Sequence, residues 1–434
     1  MDLMDKILKR LESLHPKIID LKLDRVKRLL RKLGNPERSL PPIIHVAGTN
    51  GKGSTIAMIK AGLQSSGLKT HVYTSPHLVN FNERIEIASK RITEDTLKKV
   101  LTECENINNS EPITFFEIAT CAAFLAFSRK KADYTLLEVG LGGEFDATNV
   151  VQNPVVSVIT PISFDHKEYL GHTIKKIALA KAGIIKQKIP TVISDQSAKV
   201  KEILEERCKA KKSDIIWSAN LFTVSDSKKS IIKKNGNKRV QFPFPALSGT
   251  HQISNAMTAI STLNHLKIPE NHIREGLKST YWPARLQKIG EGDLFDFITK
   301  YNINNQLWID GGHNKAASIQ LKKSLRFIDK KNLHIIYGSL KNKDHISFLK
   351  NLEPIASSLC LVEIEKQPSS LLKEVAIFDA KKVGWKKVYG ANDIRDAIRH
   401  ICNNNMEGES HVSILICGSL YLAGQALKEN RVSI

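Results

Sequence analysis

The chain has 434 residues, of which 41% are hydrophobic and 6% aromatic, and 65 Lys and Arg against 44 Asp and Glu give a net charge of +21. That length suits two or three domains, and no apolar run reaches the ~18 residues that a membrane-spanning helix needs. Six cysteines (104, 121, 208, 360, 402 and 417), none in a C-x-x-C pair, point to reduced thiols in a cytosol rather than to zinc or disulfides.

The opening stretch, "MDLMDKILKRLESLHPKIIDLKLDRVKRLL", is amphipathic and carries Asp2, Asp5, Glu12, Asp20 and Asp24. Its acidity argues against a mitochondrial presequence, and it lacks the apolar core of a secretory signal. Next comes "IIHVAGTNGKGST", residues 43–55. The usual phosphate-loop pattern, G-x-x-x-x-G-K-[ST], needs Gly six residues before the Lys and a hydroxyl directly after it. Here Val46 and Gly53 hold those positions. Even so, Ile43 to Val46 reads as a buried parallel strand. Gly48, Gly51 and Gly53 allow tight backbone conformations, and Ile56, Ile59, Lys60 and Leu63 mark a following helix. A glycine loop between a strand and a helix N-terminus aims backbone N–H groups and a positive dipole end at one spot. Lys52 adds a full charge there, and Ser54 offers a hydroxyl one residue later than usual. Taken alone, the segment also reads as an ordinary strand-to-helix turn.

Strand and helix then alternate. "THVYTSP" (70–76), "YTLLEVG" (134–140), "VVSVIT" (155–160) and "PTVIS" (190–194) read as strands. "TFFEIATCAAFLAFSRKK" (114–131) reads as a buried helix, apolar over most of its surface, and "TIKKIALAKAGIIK" (173–186) as another helix. This pattern predicts a doubly wound parallel sheet. The polar "KKNGNKR", with its Asn-Gly turn, predicts a hairpin excursion near 217–245, and "HQISNAMTAISTLNHL" (251–266) returns to helix. From about residue 286 the alternation resumes with the strands "QLWIDGG", "LHIIYGSL", "SLCLVEI", "KKVYG" and "VSILICGSLYLAG". The fold class expected is α/β: a doubly wound P-loop ATPase domain over 1–285 and a smaller, Rossmann-like α/β domain over 286–434. A nucleotide loop facing a second domain implies a ligand cleft between the two.

The lysines fall in short clusters such as "KVKEILEERCKAKK" and "DAKKVGWKK", without interleaved stacking aromatics. They read as solvated helix faces more readily than as a nucleic-acid surface. Glu138 ends a strand expected beside the glycine loop, where a carboxylate can hold magnesium. A polar strand end meeting water is the plainer alternative. Ser75 and His77 in "TSPHL", Asp165 and His166 in "SFDHKEYLG", and Lys181 in the next helix also follow strand ends. Singly these are weak signals, since a turn explains Ser-Pro and a surface position explains a lysine. Together they place a loop, a hydroxyl, a carboxylate, a histidine and a lysine along one edge of one sheet.

At this point the motifs themselves speak. "HVAGTNGKGST", "TSPHL", "FNERI", "TFFE", "LEVGLGGEFDATN", "DHKEYLGHTIKKIALAKAGIIK", "HQISNA", "WPARLQ" and "DGGHN" occur in order, within a likeness that runs from about residue 20 to the final "CGSLYLAG". The set resembles the folylpolyglutamate synthase and dihydrofolate synthase family of the Mur ligase superfamily, and "GTNGKGS" looks like that family's own phosphate loop. The resemblance implies an ATP-dependent ligase that adds L-glutamate to dihydropteroate and to reduced folates through an acyl phosphate. Within the family, a single-activity enzyme is the alternative; outside it, a nucleic-acid-dependent P-loop ATPase. It further implies two magnesium ions, ATP as co-substrate, a cytoplasmic monomer, and no nucleic-acid or membrane partner.

The same resemblance implies roles for particular residues. Asn50, Gly51, Lys52 and Gly53 would wrap the ATP phosphates, with Lys52 on the transferred group. Ser75 and Glu138 match magnesium ligands, with Ser54 a further candidate. His166 matches a ligand of a second metal, and Lys181 a lysine that is carbamylated beside it. Asn255 would meet the adenine, Arg285 the phosphates, and Asp310 the ribose, with His313 close by. Thr114, Phe115, Phe116, Glu117 and Phe145 match the pterin site. The chain departs from the family at Ala180, where Glu often precedes the modified lysine, at Gly312, where Ala is common, and at Phe164 in place of Gly. The span from Arg285 to Asp310 is also longer than in many relatives.

Overall fold

The computed structural model of the protein describes residues 3–17, 19–235, 238–405 and 411–431. The chain forms two compact units, Met1–Ala246 with Ser254–Thr280, and Leu247–Ile253 with Tyr281–Ile434.

The strands of the first unit are β1 (Ile43–Ala47), β2 (Thr70–Tyr73), β3 (Ile85–Ile87), β4 (Lys90–Arg91), β5 (Tyr134–Glu138), β6 (Val156–Ile159), β7 (Thr191–Ile193) and β8 (Ile215–Trp217). They form one sheet in the order β4-β3-β2-β5-β1-β6-β7-β8. From β2 to β8 all neighbours pair in parallel, and β3 and β4 add an antiparallel edge. Every residue of β1 is buried, as a strand covered on both faces requires. The chain leaves β1 for β2 on one side, and after β5 it crosses to β6 on the other. The strand order therefore reverses beside β1, where α/β sheets bind ligands at their carboxyl edge. The loops after β1, β2, β5 and β6 all open on that edge.

Apolar clusters cover the sheet. One joins Tyr73 and Leu137 to Val26, Leu29, Ile118 and Phe124, and another joins Val139, Ile159 and Ile193 to Ile177, Val200 and Leu204. The helix expected over 114–131 spans Phe115–Ser128, with Glu117 through Phe127 all buried. The helix expected over 173–186 is shorter, Ile174–Ala182, with Gly183 at its C-cap. The predicted excursion is a three-stranded antiparallel sheet of β9 (Phe222–Ser225), β10 (Ser230–Asn235) and β11 (Lys238–Pro243). Its Asn-Gly turn lies partly outside the described residues.

The second unit holds β12 (Gln287–Ile289), β13 (Gln306–Ile309), β14 (Leu333–Tyr337), β15 (Ser358–Leu361), β16 (Val388–Gly390) and β17 (Ser413–Cys417) in the order β12-β13-β17-β14-β15-β16. Only β12 runs antiparallel to its neighbour. The run "VSILICGSLYLAG" is not one strand. It turns at Gly418 (φ 109°) and becomes the helix Leu420–Glu429, with the Ser419 side chain accepting from the Tyr421 amide. Among the described residues no helix is long and apolar enough to cross a membrane, and all six cysteines are buried free thiols.

Candidate active site

The first unit builds a phosphate-type loop from the end of β1. Gly48 and Gly51 both have positive φ, 154° and 85°. A Cβ at Gly48 would run into the Thr160 side chain beyond β6, and one at Gly51 into the Asn255 side chain. Glycine is therefore required twice, and Asn255 lies directly against the loop. Gly53 differs from the expectation: the helix Lys52–Ser65 has already begun, so Gly53 is an ordinary buried helical residue. By helix geometry the amides of Lys52, Gly53 and Ser54 have no partner within the helix. The Thr49 and Asn50 amides instead donate to the Pro161 carbonyl, at 2.9 and 3.3 Å, which ties the loop to the segment after β6.

Two lysines and one carboxylate meet at this loop. The Lys181 ammonium donates to the Gly48 carbonyl at 2.9 Å, and Lys52 lies 3.4 Å from the same oxygen. Lys52 is also 3.9 Å from Glu138, whose second oxygen accepts from the Ser75 amide at 3.2 Å. Glu138 and Lys181 are each 5% exposed. Burial, reinforced by the charge of Lys52, pushes the Lys181 pKa down to about 7, against the opposing pull of Asp165 and Asp146. Lys181 is thus no surface lysine. His166 has φ 50° at the start of a short helix and lies 4.0 Å from Asp165. The buried Ser54 sits on the first turn of the loop helix.

The helix Phe115–Ser128 meets the loop after β5 through Phe116. Thr114 and Glu117 close a capping box, with the Thr114 amide donating to the Glu117 carboxylate at 2.8 Å. Arg25 grips the same carboxylate with a two-pronged pair of 2.9 and 3.0 Å. Glu117 is therefore occupied in holding the helix start. Phe116 packs where a Cβ on Gly140 would have to go and stacks on Tyr73 at 5.9 Å, while Phe145 is 52% exposed.

Two residues that carried no assigned role prove structurally central. Asp146, within "DATN", accepts from Thr148 Oγ1 at 2.6 Å and from the Leu141 amide at 2.8 Å, and its burial pushes its pKa up. Because that hydroxyl donates to Asp146, its oxygen accepts from His45 Nε2 at 2.9 Å. Burial, with Lys186 adding to it, holds this imidazole neutral with a pKa of about 3. The chain His45–Thr148–Asp146 binds the loop after β5 to the middle of β1. The second is His251 of "HQISNA", in the second unit. Its Nδ1 is buried without a partner among the described residues. Burial lowers its pKa, opposed by Asp310 and reinforced by Arg285. The motif was visible in the sequence, but nothing there connected it to those charges.

Arg285 stands between two residues of positive φ, Ala284 (56°) and Leu286 (44°). Such a pair of non-glycine residues needs an anchor. The Gly311 amide supplies one through the Ala284 carbonyl, at 2.9 Å, and Asp310 another through the Leu286 amide, at 2.8 Å. The other Asp310 oxygen accepts from the Gly312 amide at 2.7 Å. His313 lies 3.3 Å from the Gly311 carbonyl. Arg285, Asp310 and His313 thus belong to one tightly pinned corner.

Comparison with known proteins adds relatives to this geometry. Residues 46–263 match the Mur ligase middle domain family, and residues 294–429 the family of the dihydrofolate synthetase C-terminal domain. The dihydrofolate synthase/folylpolyglutamate synthase of Bacillus subtilis is 32% identical over 427 residues, covering 94% of both chains. Escherichia coli FolC in complex with DHPP and ADP has a TM-score of 0.86 at 26% identity, over 98% of this chain and 97% of that one. A bifunctional folylpolyglutamate synthase/dihydrofolate synthase with Mn, AMPPNP and L-glutamate bound has a TM-score of 0.84 at 26% identity, over 100% of this chain and 99% of that one.

Proposed function

The chain belongs to the dihydrofolate synthase/folylpolyglutamate synthase family of Mur-type ligases, and from that premise we infer that it joins L-glutamate to dihydropteroate and to reduced folates at the expense of ATP. The observation that carries the reading is the convergence of Lys52, Lys181 and Glu138 at a glycine loop on the carboxyl edge of the sheet.

The chemistry runs in two displacements. An oxygen of the acceptor carboxylate attacks the γ-phosphorus of ATP, the bond to the β–γ bridging oxygen breaks, and ADP leaves behind an acyl phosphate. The neutral amine of glutamate then attacks the acyl carbon, inorganic phosphate departs and the amine loses its proton. The first displacement relies on positioning and on neutralising charge. We assign the loop amides of Gly51 to Ser54 to the phosphates and Lys52 to the transferred group. Asn255, packed against Gly51, is assigned to the base, and in the second unit Arg285 and Asp310 are assigned to the nucleotide. Oxygen donors on a buried, partly neutralised carboxylate suit magnesium. Glu138 with the Ser75 and Ser54 hydroxyls would hold one ion, and His166 with a carbamylated Lys181 a second. Bound magnesium would neutralise charge on the phosphate oxygens. The partly buried Phe116 and the half-exposed Phe145 supply aromatic surface for the pterin.

The test is ADP release with glutamate and each acceptor in turn, with products identified by mass spectrometry. Glutamate addition to both acceptors is expected. Extension of a folate without any conversion of dihydropteroate would leave a single-activity enzyme.

A further inference from the structure

"FNER" was singled out in the sequence, and the reading above gives it nothing to do. In the first unit Phe81–Arg84 forms a short 3-10 turn between β2 and β3. Glu83 explains half of the motif: its carboxylate accepts from the amides of Leu78, Val79 and Asn80 at 2.7, 3.1 and 2.7 Å. The segment after Ser75 is thereby folded back on itself. Arg84 is pinned separately, since the Thr74 amide donates to its carbonyl at 2.9 Å. The arginine backbone is therefore fixed to the residue next to Ser75, whose own amide reaches Glu138.

The side chain is held just as firmly. Arg84 Nε donates to His77 Nδ1 at 2.9 Å. A guanidinium has no lone pair to offer, so Nδ1 must be the acceptor and the ring proton must sit on Nε2. The Arg84 Cζ lies 4.9 Å from the centre of the Phe81 ring and 6.0 Å from that of Phe115. Those two rings meet edge to face at 5.5 Å, and His77 packs on Phe81 at 5.6 Å. Phe115 opens the helix assigned to the pterin, and Phe116 beside it faces Gly140, two residues past Glu138.

A permanent cation therefore stands on the aromatic wall of the acceptor side, and its backbone is tied to the segment that carries Ser75. The acceptors of the proposed reaction combine a flat ring system with carboxylates. With Nε committed to His77 the plane of the guanidinium is set, and a planar fork takes a carboxylate through two parallel bonds. We propose that Arg84 determines acceptor binding by receiving a carboxylate of the acceptor, with His77 as the positioning residue that sets its orientation. This rests on the ligase reading given above.

The experiment combines steady-state kinetics with calorimetric titration of dihydropteroate and of tetrahydrofolate, for wild type, Arg84→Ala, Arg84→Lys, His77→Ala and His77→Gln. Loss of a charge-assisted bond should raise the acceptor KM and weaken acceptor binding by about tenfold or more in Arg84→Ala. The KM values for ATP and glutamate, and the affinity for a non-hydrolysable ATP analogue, should stay unchanged. His77→Ala should show the same pattern more weakly, and His77→Gln, which restores an acceptor for Nε, should recover much of the loss. An effect confined to tetrahydrofolate identifies the carboxylate of an attached glutamate, and an effect on both acceptors identifies the reacting one. Unchanged acceptor affinity in Arg84→Ala overturns the proposal, as does loss of the ATP analogue in parallel with the acceptor. Arg84-dependent acceptor binding in a wild-type protein that releases no ADP would sink the ligase reading while leaving carboxylate recognition in place.

Discussion

Two lysines at one carbonyl invite a division of labour. Lys52 is the charge that the mechanism needs on the transferred phosphate. Removing a single preorganised electrostatic group typically costs about 10²-fold or more in turnover, so Lys52→Ala should fall by at least that much while its circular dichroism spectrum and melting transition stay native. A folded variant with wild-type rates would remove Lys52 from the mechanism. Lys181 is different, because burial and Lys52 lower its pKa to about 7. Only the neutral amine reacts with carbon dioxide, and an unperturbed lysine, with a pKa of about 10.4, is almost wholly protonated at neutral pH. This environment thus supplies reactive amine, and the carbamate would turn a cation beside Lys52 into an anion. Lys181→Arg cannot form the carbamate and should lose most activity. Depleting bicarbonate should inactivate the wild type faster at about pH 6 than at about pH 8, because protonation withdraws the amine. The sign for stability follows from the same depression. Between about 7 and the ordinary value of 10.5 the unfolded chain binds a proton that the folded chain does not. Stability of the unmodified protein therefore rises with pH across that window. Lys181→Met should flatten that slope, and equilibrium unfolding in urea at several pH values measures it. Full turnover without bicarbonate, with a bare ammonium at the site, would refute the carbamate.

The elements that carry these residues are set by close packing. The loop helix Lys52–Ser65 crosses the helix Glu270–Ser279 so tightly that a Cβ on Gly276 would lie 2.6 Å from the Gly62 Cα. Gly276→Val must push the two backbones apart. Overpacking of this kind costs about 1–3 kcal/mol, so the melting temperature should drop, and the ATP KM should rise because the same helix presents the loop. A drop in melting temperature without any change in ATP KM would show that the loop does not feel this contact. The sequence announces such elements unevenly. β1, β5 and β6 were legible because strands buried on both faces read as short, nearly continuous apolar runs. The short strands β4 (Lys90–Arg91) and β12 (Gln287–Ile289) were not, since two or three residues are too few to show a period. Within the site, the residues at strand ends were legible from order alone. Their supports were not. His45 and Thr148 are separated by 103 residues, and Arg25 and Glu117 by 92. No local pattern encodes such a pairing. Glu117 shows the consequence: its motif resembles a ligand-binding one, yet its carboxylate is held by Arg25 and by its own helix cap.

At the scale of the whole molecule the dominant property is a net charge of +21. The lysines are spread along the chain in short clusters outside the loop, as in Ala198–Lys211 and around Lys386 and Lys387. A field of this size accelerates the encounter with anions and is screened by salt. At about 0.1 M ionic strength the screening length is about 10 Å, so distant lysines act chiefly below that. The acceptors of the proposed reaction offer a graded series. Dihydropteroate carries one carboxylate, a monoglutamyl folate two, and each further glutamate one more. If the basic surface steers them, kcat/KM should fall with added salt, and the fall should steepen with each glutamate on the acceptor. The kcat values should barely move, since a bound substrate no longer needs steering. A single salt slope for dihydropteroate and for a polyglutamyl folate would show that the excess charge solvates helix faces and takes no part in substrate capture. Single-stranded DNA provides the control polyanion. Without a stacking platform it should bind only at low salt, and its addition should leave the rate of ADP release unchanged. Stimulation of ATP hydrolysis by the DNA would instead revive the reading of this chain as a nucleic-acid-dependent ATPase.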